Sequence, residues 1–155
     1  MAAFASKPNP LKIMKTIILF RVGVFALLLA ASSAFAGDLE MLAGKWSLKK
    51  TNDQGQSYTQ TIEIKKNKMT FTMAGADGQV RLFATGDIKL EKLRPFSVMK
   101  ITNLEAGQSA SDLKSVDDDR TLIYQISDDS WTAATNFDKE REEKPSLDVY
   151  KKVTK

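Results

Sequence analysis

Two clusters of aspartates are the densest concentration of potentially reactive side chains in this sequence. Asp117-Asp118-Asp119 and Asp128-Asp129 carry the carboxylate oxygens that calcium prefers as ligands. A calcium loop of the EF-hand type also needs a glycine and a distal glutamate at fixed positions, and neither cluster has them. We therefore interpret both clusters as solvated turns and expect no metal site.

The sequence lacks the residues that most other catalytic mechanisms require. The chain has no histidine and no cysteine, which excludes a histidine-containing triad, a thiolate nucleophile and a cysteine zinc site. It also has no glycine-rich phosphate loop. A pair of carboxylates of the glycosidase type stays open, because any two could meet in space, but nothing singles out a pair. We expect a protein that is not an enzyme and has no cofactor.

The apolar residues are more informative than the acids. Met and aromatic side chains can adapt to a loosely specified apolar ligand. The hydroxyl groups of Tyr58 and Tyr124 could anchor the polar end of that ligand at one rim. The alternative is that the same residues simply form a packed core. The ligand-binding candidates are Tyr58, Ile62, Ile64, Phe71, Met73, Leu82, Met99, Ile101, Tyr124 and Trp131.

The candidates lie in segments where apolar and polar residues alternate with a period of two. Leu42, Gly44, Trp46 and Leu48 alternate with polar residues, which indicates a half-buried strand. The same alternation returns in later segments that are separated by turn residues, and we count about eight short strands.

The centre of the chain is less regular. Pro95 should interrupt the ladder of any strand that contains it. Val98, Met99 and Ile101 can share one face only if a β-bulge intervenes. Residues 105–120 are polar and predict a long connection.

Consecutive strands with short turns favour an all-β, up-and-down antiparallel barrel. A β-sandwich is the structural alternative, but it needs long crossovers, and only residues 105–120 are long enough to form one. An eight-stranded barrel has an interior that side chains fill or that holds one small ligand.

The first 36 residues have the features of a secretory signal peptide. Four basic residues and no acid accompany an apolar run that ends in Ala34-Phe35-Ala36, which predicts cleavage before Gly37. Met14 is a second possible start of translation. The predicted domains are the signal peptide, 1–36, and the barrel, 37–155, and the predicted location is periplasmic or secreted.

The charge of the predicted mature chain bears on its partners. The whole chain has 23 basic and 19 acidic residues, and removal of residues 1–36 leaves 19 of each. A neutral chain gives no support for nucleic-acid binding. We also expect no membrane span in the mature form, and the sequence carries no indication of oligomeric state.

Gly44-Lys45-Trp46 resembles the G-x-W signature of the lipocalins. Taken with the hairpin LIYQISDDSW and the closing strand LDVYKKV, it is similar to the lipocalin-like domains of bacterial secreted proteins, over residues 40–154. The resemblance implies that Trp46 plugs one end of the barrel, where its N–H can find a carbonyl. Lipocalins usually pack an arginine over this tryptophan, and here Lys151 or Lys152 would take that place.

The resemblance implies a non-catalytic carrier of a small apolar or amphipathic molecule. The alternative is a protein-binding or inhibitory module that acts through its outer surface and loops, with a filled interior.

Overall fold

Nine strands account for most of the described chain. The structure is a computed structural model that describes residues 37–138 and 143–154. The predicted signal peptide, its cleavage site and the alternative start at Met14 lie outside these residues. Residues 37–42 form a helical turn. The strands are β1 (Gly44–Thr51), β2 (Ser57–Lys65), β3 (Lys68–Gly75), β4 (Val80–Leu93), β5 (Phe96–Gly107), β6 (Lys114–Ser115), β7 (Arg120–Ile126), β8 (Ser130–Thr135) and β9 (Ser146–Lys152).

Eight of these strands close into a barrel. Neighbours along the chain pair antiparallel, β5 pairs directly with β7, and β9 returns to pair with β1. The two-residue β6 adds only a short side pairing to β5. The predicted all-β, up-and-down barrel is confirmed, and this architecture is consistent with a lipocalin-like fold.

The turns form where the sequence predicts them. The carboxamide oxygen of Asn52 accepts the backbone N–H groups of Gln54 and Gln56, which folds the β1–β2 turn. At the opposite end of the barrel, Ser127 donates its backbone N–H to the Ser130 carbonyl at 2.8 Å, so Asp128-Asp129 is the predicted tight turn between β7 and β8.

Pro95 does not interrupt a strand. It lies in the turn between β4 and β5, where Leu93 pairs with Phe96. At this position a proline removes no ladder hydrogen bond. The segment before it, residues 88–93, is part of β4, a single strand of 14 residues.

The bulge lies elsewhere than the sequence predicts. Pairing is continuous from Ser97 to Thr102, so Met99 and Ile101 point into the barrel and Val98 points outward. The register shifts beyond Thr102, where Asn103 has a φ of 51°. Gly86 lies opposite this bulge, and a Cβ there would come within 2.8 Å of Ile101 Cγ2. A glycine therefore allows the bulged strand to pack inward.

The core fills the part of the barrel that lies towards the turn 37–42. Register and alternation place its residues on the inner faces of all eight barrel strands. Its largest fully buried side chains are Trp46, Trp131, Leu42, Ile64 and Met99.

Candidate functional site

The two ends of the barrel are built from different turns. The closed end carries the turns β2–β3, β4–β5 and β7–β8, together with residues 37–42. The open end carries the turns β1–β2 and β3–β4 and the longer connections β5–β7 and β8–β9. The antiparallel register fixes this division, because each strand begins at one end and finishes at the other.

Trp46 plugs the closed end. Its side chain is fully buried, and its Nε1–H donates to the Leu42 carbonyl at 2.8 Å. Lys152 on β9 places its Nζ 5.2 Å from the centre of the Trp46 ring, a geometry typical of a cation–π contact. The predicted plug, its carbonyl partner and a lysine in the place of arginine are all present.

Asp38 holds the turn 37–42 against the barrel. Its carboxylate accepts hydrogen bonds from Lys92 Nζ at 2.8 Å and from the Tyr124 hydroxyl at 2.9 Å. Burial raises the pKa of Asp38, but the hydrogen bonds from Lys92 and Tyr124 outweigh it, so the pKa lies below its ordinary value. Burial and the neighbouring Asp38 carboxylate raise the pKa of Tyr124, which therefore remains a donor.

Two further aromatic rings, those of Trp131 and Tyr150, continue the core from the plug. Trp131 meets Trp46 edge to face, with ring centres 6.1 Å apart, and stacks on Tyr150 at 5.2 Å. Trp131 is fully buried, and its Nε1 has no hydrogen-bond acceptor among the described residues. A buried donor without an acceptor costs about 1–3 kcal/mol.

A polar group lies inside the open half of the barrel. Lys50 Nζ contacts Asp148 Oδ1 at 2.7 Å, and both side chains lie on the inner face, 30% and 11% exposed. The Tyr150 hydroxyl donates to Gln60 Oε1 at 2.9 Å. Burial, the Asp148 carboxylate and Tyr58 raise the pKa of Tyr150. We call Lys50, Tyr58, Gln60, Asp148 and Tyr150 the mouth group.

A cleft of about 880 Å³ opens at the same end. It lies between the turns β1–β2 and β3–β4, and Tyr58 and Met73 form its inner wall. Tyr58 is also the register partner of Lys50, so the cleft and the mouth group share this residue. At its rim, Arg81 contacts Asp77 at 2.6 Å.

A second cleft, of about 560 Å³, lies near the closed end. Its walls include Met41 of the turn 37–42, Phe96, Ile123 and Leu147. An outward-facing row of apolar residues crosses four strands beside it. The row is Val98, Ile123, Ala134 and Leu147, each the register partner of the next.

The predicted ligand-binding residues fall into two sets. The deep set belongs to the packed core and comprises Ile62, Ile64, Met99, Ile101, Tyr124 and Trp131. The shallow set lies in the open half, on the inner faces of β2, β3 and β4, and comprises Tyr58, Phe71, Met73 and Leu82. Tyr58 and Tyr124 lie at opposite ends, so a small ligand at one rim cannot contact both.

Sequence reasoning missed Lys50, Gln60 and Asp148 as a group. The alternation of β1 already places Lys50 on the face of Trp46 and Leu48, and that of β9 places Asp148 on the face of Tyr150. By sequence alone, the Lys49-Lys50 pair is typical of a strand end that lysines keep soluble. Only the closure of β1 against β9 shows that Lys50 and Asp148 meet.

The two aspartate clusters lie in connections, as predicted. Asp118 accepts a hydrogen bond from Arg120 at 3.0 Å, and Asp129 lies 3.6 Å from Lys151. Within residues 37–138 and 143–154, no three side chains of the types that bind metals come together as a candidate site. No helix in these ranges is long and apolar enough to span a bilayer.

Comparison with protein-family models, with curated proteins and with solved structures gives no match.

Proposed function

We propose that this protein is an exported, lipocalin-like carrier that binds a small apolar or amphipathic molecule without catalysis. Residues 1–36 would be the signal peptide that directs it to the periplasm or out of the cell. The single observation that supports the binding proposal is the difference between the two ends of the barrel. A sealed apolar end continues into an open half with half-buried apolar walls and a polar mouth.

The shallow set gives the ligand its apolar contacts. Phe71, Met73 and Leu82 are only half-buried, although they face the interior. A ligand that covered them would gain about 25 cal/mol for each Å² of apolar surface removed from water. Methionine suits this role because its side chain is flexible and polarisable.

A displacement experiment tests the proposal. The purified mature protein is titrated with N-phenyl-1-naphthylamine, an uncharged fluorescent apolar probe, and native mass spectrometry is used to look for a molecule that co-purifies from the host. We expect saturable fluorescence enhancement. Met73→Trp, which places an indole on the inner face beside the cleft, should weaken binding about tenfold or more.

Thr72→Trp is the matched control, because Thr72 is the neighbour of Met73 on the outer face of β3. It should bind the probe as the wild type does. No co-purifying mass together with no saturable probe signal would contradict the carrier proposal, as would equal effects of the two tryptophan variants.

The second cleft favours a second candidate, a module that binds another protein through its surface. Two apolar residues in the wall of this cleft are strongly exposed, Leu147 at 69% and Phe96 at 53%, and exposed apolar patches often mark interaction sites. The same probe separates the two candidates. Binding that Leu147→Glu removes and Met73→Trp preserves would place the apolar site on the outer face.

A further inference from the structure

The mouth group contains an ion pair in an unusual place for a barrel stabilised by apolar packing. Lys50 and Asp148 both point inward, and their side chains are largely withdrawn from solvent. A buried ion pair is seldom more stabilising than an apolar pair of the same size, because its desolvation cost offsets the attraction. Stability alone therefore gives a weak reason for this pair.

The arrangement of charge limits what the mouth group can accept. Lys50 and Asp148 neutralise each other at 2.7 Å, and Arg81 and Asp77 do so at 2.6 Å on the rim of the cleft. A charged group entering between these pairs would compete for one partner and leave the other uncompensated. At Lys50 and Asp148, whose side chains are 30% and 11% exposed, an uncompensated charge is destabilising because little water is available to solvate it.

The same arrangement offers hydrogen bonds to an uncharged group. The Lys50 ammonium has three N–H donors, and its contact with Asp148 Oδ1 uses one. The Gln60 amide oxygen already accepts the Tyr150 hydroxyl, and a primary amide also carries two N–H donors. Tyr58 adds a hydroxyl where the group meets the cleft. An oxygen atom that lacks a charge can accept from these donors and leave both ion pairs intact.

We propose that the mouth group selects an amphipathic ligand whose polar end is uncharged and carries oxygen, such as an alcohol, ester or amide, over ligands of the same chain length with a charged end. The inference rests on the proposed carrier function and adds the chemical class of the ligand. The apolar tail lies along Phe71, Met73 and Leu82, and the polar end lies beside Lys50 and Tyr58.

Three ligands of equal chain length test the proposal: dodecanol, dodecanoate and dodecylammonium. Each displaces N-phenyl-1-naphthylamine at neutral pH, with dodecanol below its solubility limit and the two ions below their micelle concentrations. The wild type should bind dodecanol about tenfold tighter than either ion, which corresponds to about 1.4 kcal/mol. A wild type that prefers either ion, or binds all three equally, overturns the inference.

Single substitutions should reverse the selectivity in opposite directions. Asp148→Asn leaves the Lys50 charge uncompensated, so dodecanoate should become the preferred ligand. Lys50→Gln leaves the Asp148 charge uncompensated, so dodecylammonium should become preferred. Unchanged ranking in folded single variants would contradict the role of the pair.

The double variant Lys50→Met/Asp148→Leu covers the case in which a single variant fails to fold. It replaces the pair with apolar side chains, so its folded state should be as stable as that of the wild type or more so. It should keep binding the probe, but because Lys50 no longer donates a hydrogen bond, it should bind dodecanol about tenfold more weakly, relative to the probe, than the wild type does. A double variant that binds dodecanol as tightly as the wild type, relative to the probe, would overturn the inference.

The failure of the carrier proposal is distinguishable from the failure of this inference. If neither the probe nor any dodecyl compound binds, the protein is not a carrier of this kind. If the compounds bind without discrimination between head groups, the carrier proposal stands and the assignment of the mouth group is wrong.

Discussion

The two ends of the barrel use similar residues in different ways. Each end has a lysine, an aspartate and a tyrosine in hydrogen-bonding or ion-pair contacts. At the closed end, Lys92 and Tyr124 converge on Asp38 and fasten a segment across the core. At the open end, Lys50, Asp148 and Tyr150 face the interior, and no described segment crosses them in the same way. A polar side chain therefore has a structural role when its contacts hold one segment against another. It is a candidate for binding when it faces the interior without doing so.

This comparison predicts that substitutions at the closed end act mainly on stability, and those at the open end mainly on binding. The largest effect should come from Trp46→Ala. It removes a fully buried ring and a hydrogen bond to Leu42, and we expect a loss of about 3–5 kcal/mol in the free energy of unfolding. Urea denaturation followed by far-ultraviolet circular dichroism measures this.

Ser47→Ala is the control for Trp46→Ala, because Ser47 is the next residue of β1 and faces outward. It should change the unfolding free energy by less than about 0.5 kcal/mol. If Trp46→Phe and Trp46→Ala were both as stable as this control, the barrel would not depend on its plug.

A smaller effect is expected at Asp38, and it should depend on pH. Asp38→Asn removes the carboxylate that Lys92 and Tyr124 share, which should cost about 1 kcal/mol at neutral pH. The pKa of Asp38 is lower in the folded protein, which means that the charged carboxylate stabilises the fold. Its contribution is therefore present above the ordinary pKa of 3.8 and is lost as the pH falls through the lower folded value.

Thermal unfolding at a series of pH values measures this contribution. The difference between the wild type and Asp38→Asn should be constant near neutral pH and shrink below about pH 4. Tyr124→Phe removes one donor and keeps the charge, so it should destabilise less than Asp38→Asn. A difference that grew towards low pH would contradict the assigned role of Asp38.

The smallest effect should come from the lysine over the plug. Lys152→Ala removes the cation–π contact with Trp46 and should cost about 0.5 kcal/mol. Lys152→Arg should restore or exceed the wild-type stability, because a planar guanidinium stacks on the indole. Lys49→Ala is the control, since Lys49 faces outward on β1 and is exposed. Equal effects of the two alanine variants would argue against the contact.

The sequence predicted the closed end better than the open end, for a physical reason. Burial of alternate residues is a local pattern, and it identified Trp46, Ile62, Ile64 and Trp131 as inward-facing without any knowledge of their partners. The Trp46 carbonyl partner is only four residues away, at Leu42. The G-x-W resemblance implied the plug and a carbonyl partner, and this contact is local, so it does not depend on the pairing of distant strands.

The open end depends on contacts between distant parts of the chain. Lys50 and Asp148 are 98 residues apart in sequence, and their contact requires the last strand to return to the first. The bulge at Asn103 likewise depends on the register of β5 against Gly86 of β4. Alternation within one strand does not contain either relation, so the mouth group was missed and the bulge was misplaced.

The seam between β1 and β9 sets the order in which the chain can assemble. Trp46 and Ser47 pair with Lys152 and Lys151, which joins strands from the two ends of the folded domain. Contacts between such distant segments form only after the intervening chain has given up most of its conformational freedom. A partly synthesised chain without β9 has an open edge and an uncovered indole, so it cannot complete its fold.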